Sequence, residues 1–376
     1  MAAEEELRKR EKPQCPQDKA VSIAAELFGL ELDVAKVKQL ESYDDVNYYL
    51  RCVDGSQYVF KIHNGVESDN AVFLEGMNKL LLHLREHGIT APHPVNSVAG
   101  NWMTKVELPL RNGQPKQHAI RLLDWVDGEM MNEQEVTPGL LHETGAYLGN
   151  LDQVLDSFDH EGFHRSHAWD VRNTAMLKSF YKYLDEAWRL ELINGVVTDF
   201  EAVVLPASAE FRMGLLQADF NDANIIIARG GAGGPLPAGV IDFGDAVHSW
   251  RVNDVAIAMA YVMVCIANPQ NKRAGFGAAG DGPQHPESLL AAAQFLAGFE
   301  STYPLQPTER AMVWKLASCR LATSATMGWY SWSLDPTNEY LKYHATPAWE
   351  ALKTLRAVPE EELSAVSRAG PVTSAM

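Results

Sequence analysis

The sequence predicts a mixed α+β protein built as two lobes, a small β-rich amino-terminal lobe and a larger, mainly α carboxy-terminal lobe. Three observations lead there. The chain has 376 residues, more than a single hydrophobic core usually serves. Short apolar strand-like runs fill the stretch up to about residue 124, and long helical periodicities take over beyond Asp127-Gly128. Finally, Asp219, Asn224 and Asp242 stand beside short apolar runs in the second half, which puts oxygen-bearing side chains near strand ends.

The leader, residues 1–18, is dominated by charge, contains Pro13 and Pro16, and is expected to be flexible. The first lobe, 19–127, opens with a helix over 20–28 that Gly29 ends. Residues 35–40, 46–53 and 57–63 read as strands, the last two joined by Asp54-Gly55, a two-residue hairpin signal. A helix over 68–87 follows, with Phe73, Met77, Leu80, Leu81 and Leu84 as its apolar stripe. Residues 102–107 and 118–124 add two more strands. The second lobe, 128–360, carries helices over 138–158, 174–192, 252–267, 287–303, 307–332 and 338–358. Short strands at 215–216, 224–228 and 238–241 are set among them, with a Gly-rich tip at 230–234. The tail, 361–376, is expected to fray.

Composition excludes several classes of function. With 46% hydrophobic and 22% charged residues, the chain is an ordinary globular one. Its formal charge of −17 repels nucleic acid and anionic membrane alike, and is compatible with a small cationic substrate. Cys15, Cys52, Cys265 and Cys319 are far apart and form no C-x-x-C pair, as expected of reduced thiols in the cytosol. The first residues lack the apolar core of a secretory signal. No stretch approaches eighteen uninterrupted apolar residues, and 255–267 is too short to span a bilayer.

The chemistry is concentrated in Gln217-Ala218-Asp219-Phe220-Asn221-Asp222-Ala223-Asn224 and in Asp242-Phe243-Gly244. In phosphoryl transfer, an Asp heading a D-x-x-x-x-N stretch accepts the proton of the attacking hydroxyl. The Asn and the D-F-G Asp hold Mg²⁺ on the nucleotide phosphates. Hard oxygen donors are what Mg²⁺ requires, so neither histidine nor thiolate is needed. Asp219 is thus the candidate catalytic base, and Asn224 and Asp242 are the candidate metal ligands. The first lobe would cover the nucleotide, and the second would hold the catalytic groups and the substrate.

Lys61, on the strand Tyr58-Val59-Phe60-Lys61-Ile62, matches the strand lysine that reaches nucleotide phosphates, and Glu75 on the next helix is its expected ion-pair partner. Between the first two strands, Glu41-Ser42-Tyr43-Asp44-Asp45-Val46-Asn47 stands where a Gly-rich loop usually covers phosphate, yet it has no glycine. Either Ser42 and backbone amides contact phosphate, or Asp44 and Asp45 shape a turn, since acids beside phosphate need a cation between them. Asp254 is most simply a first-turn acid of its helix, and in kinase-like folds it can also brace the catalytic loop.

Other motifs carry less. Gly275-Phe276-Gly277-Ala278-Ala279-Gly280 spells a dinucleotide fingerprint, but it follows a helix and Pro283 blocks the helix the fingerprint requires. His83 and His87 have zincin spacing without the intervening Glu. His160, His164 and His167 crowd one loop without an acidic or thiolate partner at fixed geometry.

After Gly244 only 245–251 precede the next helix, and no A-P-E follows. A polypeptide-binding platform is therefore missing and the acceptor should be a small molecule. Trp169, Asp170, Asp245, Trp329 and Tyr330 are aromatic and acidic candidates for its pocket, a chemistry that suits an amino or ammonium group. Core packing explains the aromatics equally well.

These residues resemble the aminoglycoside phosphotransferase and choline kinase superfamily, and within it the hydroxylysine kinases of vertebrates. The likeness runs from the first helix to about residue 355. It is carried by Ser42-Tyr43-Asp44-Asp45 with Asn47, the Lys61 strand, Arg121-Leu122-Leu123, Asp219 with Asn221-Asp222 and Asn224-Ile225, and Ile241-Asp242-Phe243-Gly244-Asp245. The resemblance implies a bilobal protein-kinase-like fold of the aminoglycoside phosphotransferase type. It also implies GTP as donor, with Mg²⁺, and transfer to the hydroxyl of 5-hydroxy-L-lysine, a product of collagen breakdown, in the cytoplasm. One departure stands out: the superfamily usually has His-Gly before the catalytic Asp, where this chain has Gln217-Ala218. The His braces the loop by hydrogen bonds, which an amide can partly replace. Ala218 is expected to keep an ordinary backbone conformation where Gly would be freer.

Overall fold

The computed structural model describes residues 2–229, 234–276, 285–334 and 340–368. The Gly-rich tip lies outside the described residues except for Gly234, as do residues 277–280 of the dinucleotide-like motif and 369–376 of the tail. Two compact units emerge, Met1–Asp127 with His160–His164, and Gly128–Asp159 with Arg165–Met376.

In the first unit, β1 (Lys38–Leu40), β2 (Val46–Arg51), β3 (Gln57–Ile62), β4 (Pro94–Val95), β5 (Thr104–Pro109) and β6 (Pro115–Asp124) form one antiparallel sheet in the order β1-β2-β3-β6-β4, with β5 also on β6. Asp54-Gly55 makes the β2–β3 turn, where the Asp54 carboxylate accepts the Ser56 N–H and Gly55 takes φ +97°. The register pairs Asn47 with Lys61, so Lys61 rises beside the end of the 41–47 segment. Alternation buries Val46, Tyr48 and Leu50 of β2 against Phe60 and Ile62. Residues 35–40, expected as one strand, give a 3-10 turn (Val34–Lys36) before β1.

The leader departs from its expected flexibility. It forms α1 (Ala2–Arg10) and enters α2 (Gln17–Phe28), whose Ala20, Ile23, Ala24 and Phe28 pack into the same core. Tyr48 donates its hydroxyl proton to the Cys15 carbonyl at 2.7 Å, and Gln14 N–H bonds the Pro109 carbonyl at 2.8 Å. The helix expected over 68–87 is two: α3 (Gly65–Asp69) and α4 (Ala71–Glu86) break at Asn70, whose side chain caps Phe73 N–H. The expected stripe of α4 is buried.

The second unit is mainly helical. It comprises β7 (Glu129–Met130), α5 (Pro138–Leu155), a 3-10 stretch Val171–Tyr183, and α6 (Ala187–Asp199) continuing through a π-turn into α7 (Leu205–Ala207). Next come β8 (Met213–Leu216), β9 (Ile225–Ile227), β10 (Pro237–Val240) and β11 (Val247–Trp250). These are followed by α8 (Val252–Ala267), α9 (Glu287–Thr302), α10 (Pro307–Leu334), α11 (Tyr340–Ala357) and α12 (Glu360–Arg368). Gly145 of α5 and Gly298 of α9 let those helices touch backbone to backbone, because a Cβ at either would strike the carbonyl of Phe295 or His142. The helical run Ala187–Glu210 meets a length and hydropathy test for crossing a membrane. Its ion pairs Arg189–Asp185, Lys178–Glu201 and Arg356–Asp199 are those of a helix on a protein surface.

Two antiparallel pairings bring the candidate site residues together. β9 and β10 pair Ile225 with Val240, so Asn224 and Ile241 are neighbours and Ile241 N–H bonds the Asn224 carbonyl at 2.9 Å. β8 and β11 pair Leu216 with Val247, which sets Gln217 beside the segment that follows Asp242-Phe243-Gly244.

Candidate active site

Asp219 lies in the loop after β8, half-buried. Its Oδ2 accepts amide protons from Asn221 at 3.0 Å and from Asn224 at 2.9 Å. The Arg320 guanidinium donates to Oδ1 at 3.0 Å. Both carboxylate oxygens are therefore held.

Gln217 joins the two motifs. Its Oε1 accepts Asp219 N–H at 2.8 Å, and its Nε2 donates to the Asp242 carbonyl at 2.6 Å. Asp254 in the first turn of α8 accepts Gln217 N–H at 2.9 Å and Ala218 N–H at 2.8 Å, so it acts as the brace that was one of its two expected roles. Asp219, Asn224 and Asp242 thus share a single site. Asn224 spends its Nδ2 on Asp219, and Asp242, which is exposed, accepts Gly244 N–H at 3.0 Å. An amide oxygen and an exposed carboxylate form a donor set that fits a hard divalent cation.

Ala218 has φ +66°, contrary to the ordinary conformation expected for it. The Asp254 and Gln217 bonds around it fix a turn that favours glycine. Ala218→Gly should therefore stabilise the protein by about 0.5–1 kcal/mol, the left-handed penalty of an L-residue less the entropy glycine adds to the unfolded chain. A urea titration with unchanged slope and a higher midpoint is the expected result, and a lower midpoint contradicts it.

Desolvation and then the neighbouring Asp245 push the Asp219 carboxyl up to about 7, while Arg320 opposes them. Asp245 moves the other way, below the usual carboxylate range. Its own desolvation is outweighed by His167, whose Nε2 lies 3.0 Å away, and by Arg320 and Arg165. Two acids held at opposite ends of their range mark a site where one is prepared to take a proton.

Arg320 of α10 and Tyr261 of α8 were not expected here. Arg320 is 1% exposed, bonds Tyr261 Oη at 2.6 Å and the Trp169 carbonyl at 2.8 Å, and lies against both rings. The available signal was a single charge in an otherwise uncharged helical stretch, 316–327. Trp169 and Asp245 therefore belong to this centre. Asp170 does not: it is buried, caps Arg172 N–H, and is taken up by Arg172 Nε and Ser249 Oγ, both at 2.7 Å. Tyr330 is also corrected, because it is enclosed against Phe180 and Tyr183. Trp329 carries the Arg189 guanidinium at 3.6 Å.

The first unit places Lys61 Nζ 3.0 Å from Asp45. Glu75, its expected partner, lies on the exposed face of α4 paired with Lys79 at 2.6 Å, since the break at Asn70 sets the helix phase that turns Glu75 outward. Buried Glu67 of α3 also acts on Lys61 electrostatically, and bonds His63 at 2.7 Å and Arg8 at 2.6 Å. The Ser42 hydroxyl donates to the Asp45 carbonyl at 2.6 Å, closing a turn. His87 bonds the His83 carbonyl at the end of α4, as a helix terminus rather than a zinc site.

The hydroxylysine kinase of Xenopus laevis is 29% identical over 94% of this chain and 93% of its own length, and that of Mus musculus is 27% identical over 92% and 90%. The structure of an amicoumacin kinase in complex with AMP-PNP and Ca²⁺ superposes with a TM-score of 0.64 at 17% identity, covering 96% of this chain and 97% of its own, which shows a common fold. A model of the phosphotransferase enzyme family matches residues 36–292. The chain belongs to that family.

Proposed function

We propose that this protein transfers the terminal phosphoryl group of GTP to the side-chain hydroxyl of 5-hydroxy-L-lysine, with Mg²⁺, in amino-acid breakdown in the cytosol. The observation that carries the reading is the convergence of Asp219, Asn224 and Asp242 through Gln217, in a chain similar to hydroxylysine kinases along most of its length. Asp219 orients the acceptor hydroxyl and takes its proton as the hydroxyl oxygen bonds to the terminal phosphorus and the bond from that phosphorus to the β–γ bridging oxygen breaks, releasing GDP. The amides of Asn221 and Asn224, with Arg320, fix the carboxylate so that little reorganisation is needed. Asn224 and Asp242 would hold Mg²⁺, which when bound neutralises charge on the phosphates. Lys61 would bind those phosphates, with Asp45 and Glu67 in place of Glu75 as its acidic neighbours. Asp245 and Trp169 supply the acidic and aromatic surface that a cationic amino acid requires. Four free, buried cysteines agree with a reducing compartment.

A turnover assay with GTP and ATP against 5-hydroxylysine, lysine, choline and ethanolamine tests the proposal. Phosphate transfer to 5-hydroxylysine alone, faster with GTP, is expected. Transfer only to choline or ethanolamine overturns the acceptor, and preference for ATP overturns the donor. Arg320→Met should move the acid limb of kcat/KM to higher pH, because a positive charge that favours the Asp219 carboxylate is gone. An unmoved limb would show that Arg320 does not set the ionisation of Asp219.

A further inference from the structure

The segment 41–47 presents two buried acids, Asp44 and Asp45, each 6% exposed. In the function proposed above Lys61, paired with Asp45, binds nucleotide phosphates, and uncompensated carboxylates beside it repel the ligand. The compensating charges come from the chain itself. Arg8 of α1 donates from Nε to Asp44 Oδ2 at 2.5 Å and from Nη2 to Glu67 Oε1 at 2.6 Å. Lys12 Nζ donates to the Ser42 carbonyl at 3.0 Å and to that of Tyr43 at 3.3 Å, and Lys9 lies over the Tyr43 ring at 5.1 Å. Asp45 is held by Lys61 at 3.0 Å and accepts from Asn64 N–H at 2.9 Å and Asn64 Nδ2 at 3.2 Å.

Asp45, His63 and Glu67 have ligand atoms within 4.8 Å of one another, the spacing of a metal site. Their oxygens are already engaged by Lys61, Asn64, Arg8 and His63, so the cluster is a filled ion-pair network. It joins α1, the 41–47 segment and residues 61–67, and Arg8 bridges Asp44 and Glu67. Even with Arg8 in place, burial and, after it, the charges of Asp45 and Glu67 push the Asp44 carboxyl up to about 7.

We propose that the amino-terminal segment is a positioning element for nucleotide binding, in which Arg8 and Lys12 hold the 41–47 segment and neutralise its acids so that it can lie against a polyphosphate. This rests on the kinase reading. Removing Arg8 takes from Asp44 and Glu67 the cation bonded to both and leaves Lys12, Lys61 and His63 to offset three acids, and the excess negative charge acts on the nucleotide, not on the acceptor.

Steady-state kinetics of the full-length protein test it. Arg8→Met should raise the KM for Mg-GTP tenfold or more, with kcat and acceptor KM changed by less than threefold. Arg8→Lys should recover most of the loss. The double variant Arg8→Met/Asp44→Asn should also recover it, since cation and acid are removed together. A nucleotide KM within twofold of wild type in Arg8→Met, with only a lower melting temperature, overturns the proposal, as does a double variant no better than the single one. If the wild type turns over no acceptor, the kinase reading fails independently. Equilibrium binding of Mg-GTP and Mg-ATP to the same variants then decides, and wild type that binds neither nucleotide overturns both.

Discussion

Asp219→Asn is expected to lower kcat/KM by about 10²–10⁴-fold, the usual worth of a positioned general base, while the protein still unfolds cooperatively. Asn keeps the size of the side chain and an oxygen for Arg320 but turns an NH2 toward the Asn221 and Asn224 donors, so basicity and those two hydrogen bonds are lost together while packing is kept. Two pH measurements sharpen the test. In wild type, kcat/KM should rise through about pH 7 on its acid side, where the free enzyme's Asp219 loses its proton. Stability should behave oppositely. The folded-state pKa of Asp219 is raised, so its contribution is fully present below the unfolded value and is lost as pH rises through the folded one. Wild type should therefore lose stability relative to Asp219→Asn as pH rises from about 4 to about 7, and no further above that. Asp219→Asn with near-normal turnover would remove Asp219 from the reaction.

Asp242→Asn should be nearly as damaging, by about 10³-fold, because a metal's charge stabilisation is worth several kcal/mol. Asn is the informative choice: Asp242 has φ +56°, a conformation that Asn adopts at lower cost than Ala. Its side chain can still accept the Gly244 N–H, and the backbone bond from Gln217 is untouched. Only the negative charge at the cation's position is lost. The concentration of Mg²⁺ for half-maximal rate should rise tenfold or more, and an unchanged Mg²⁺ requirement would rule out Asp242 as a ligand.

Which features could be read from the sequence follows from how local they are. The β2–β3 hairpin was legible because Asp54-Gly55 is a turn code in two residues, and α8 because its apolar run is bounded by Arg251 and Asn268-Pro269. Residues 174–183 were taken for the start of an α-helix over 174–192, although the buried Thr174, Leu177 and Phe180 recur every third residue, the spacing of a 3-10 helix. β11 was missed, because Val247-His248-Ser249-Trp250 carries no repeating pattern. In the site, Asp219, Asn224 and Asp242 are close in sequence and their spacing announces them. Arg320 reaches Asp219 across 101 positions, and nothing near Asp219 points to it. The Lys61 partner was misassigned for a related reason. Where α3 ends and α4 begins decides which acid faces inward, and that depends on a single capping side chain, Asn70.

Gln217 has a consequence for how the enzyme responds to acid. An imidazole in that place gains a second proton near neutrality and loses its acceptor, so the link to either Asp219 or Asp242 would loosen as the medium acidifies. A carboxamide offers the same acceptor and donor at every physiological pH. The scaffold beneath the reacting groups is thereby insulated from proton concentration, and any acid sensitivity of turnover falls on the carboxylates themselves.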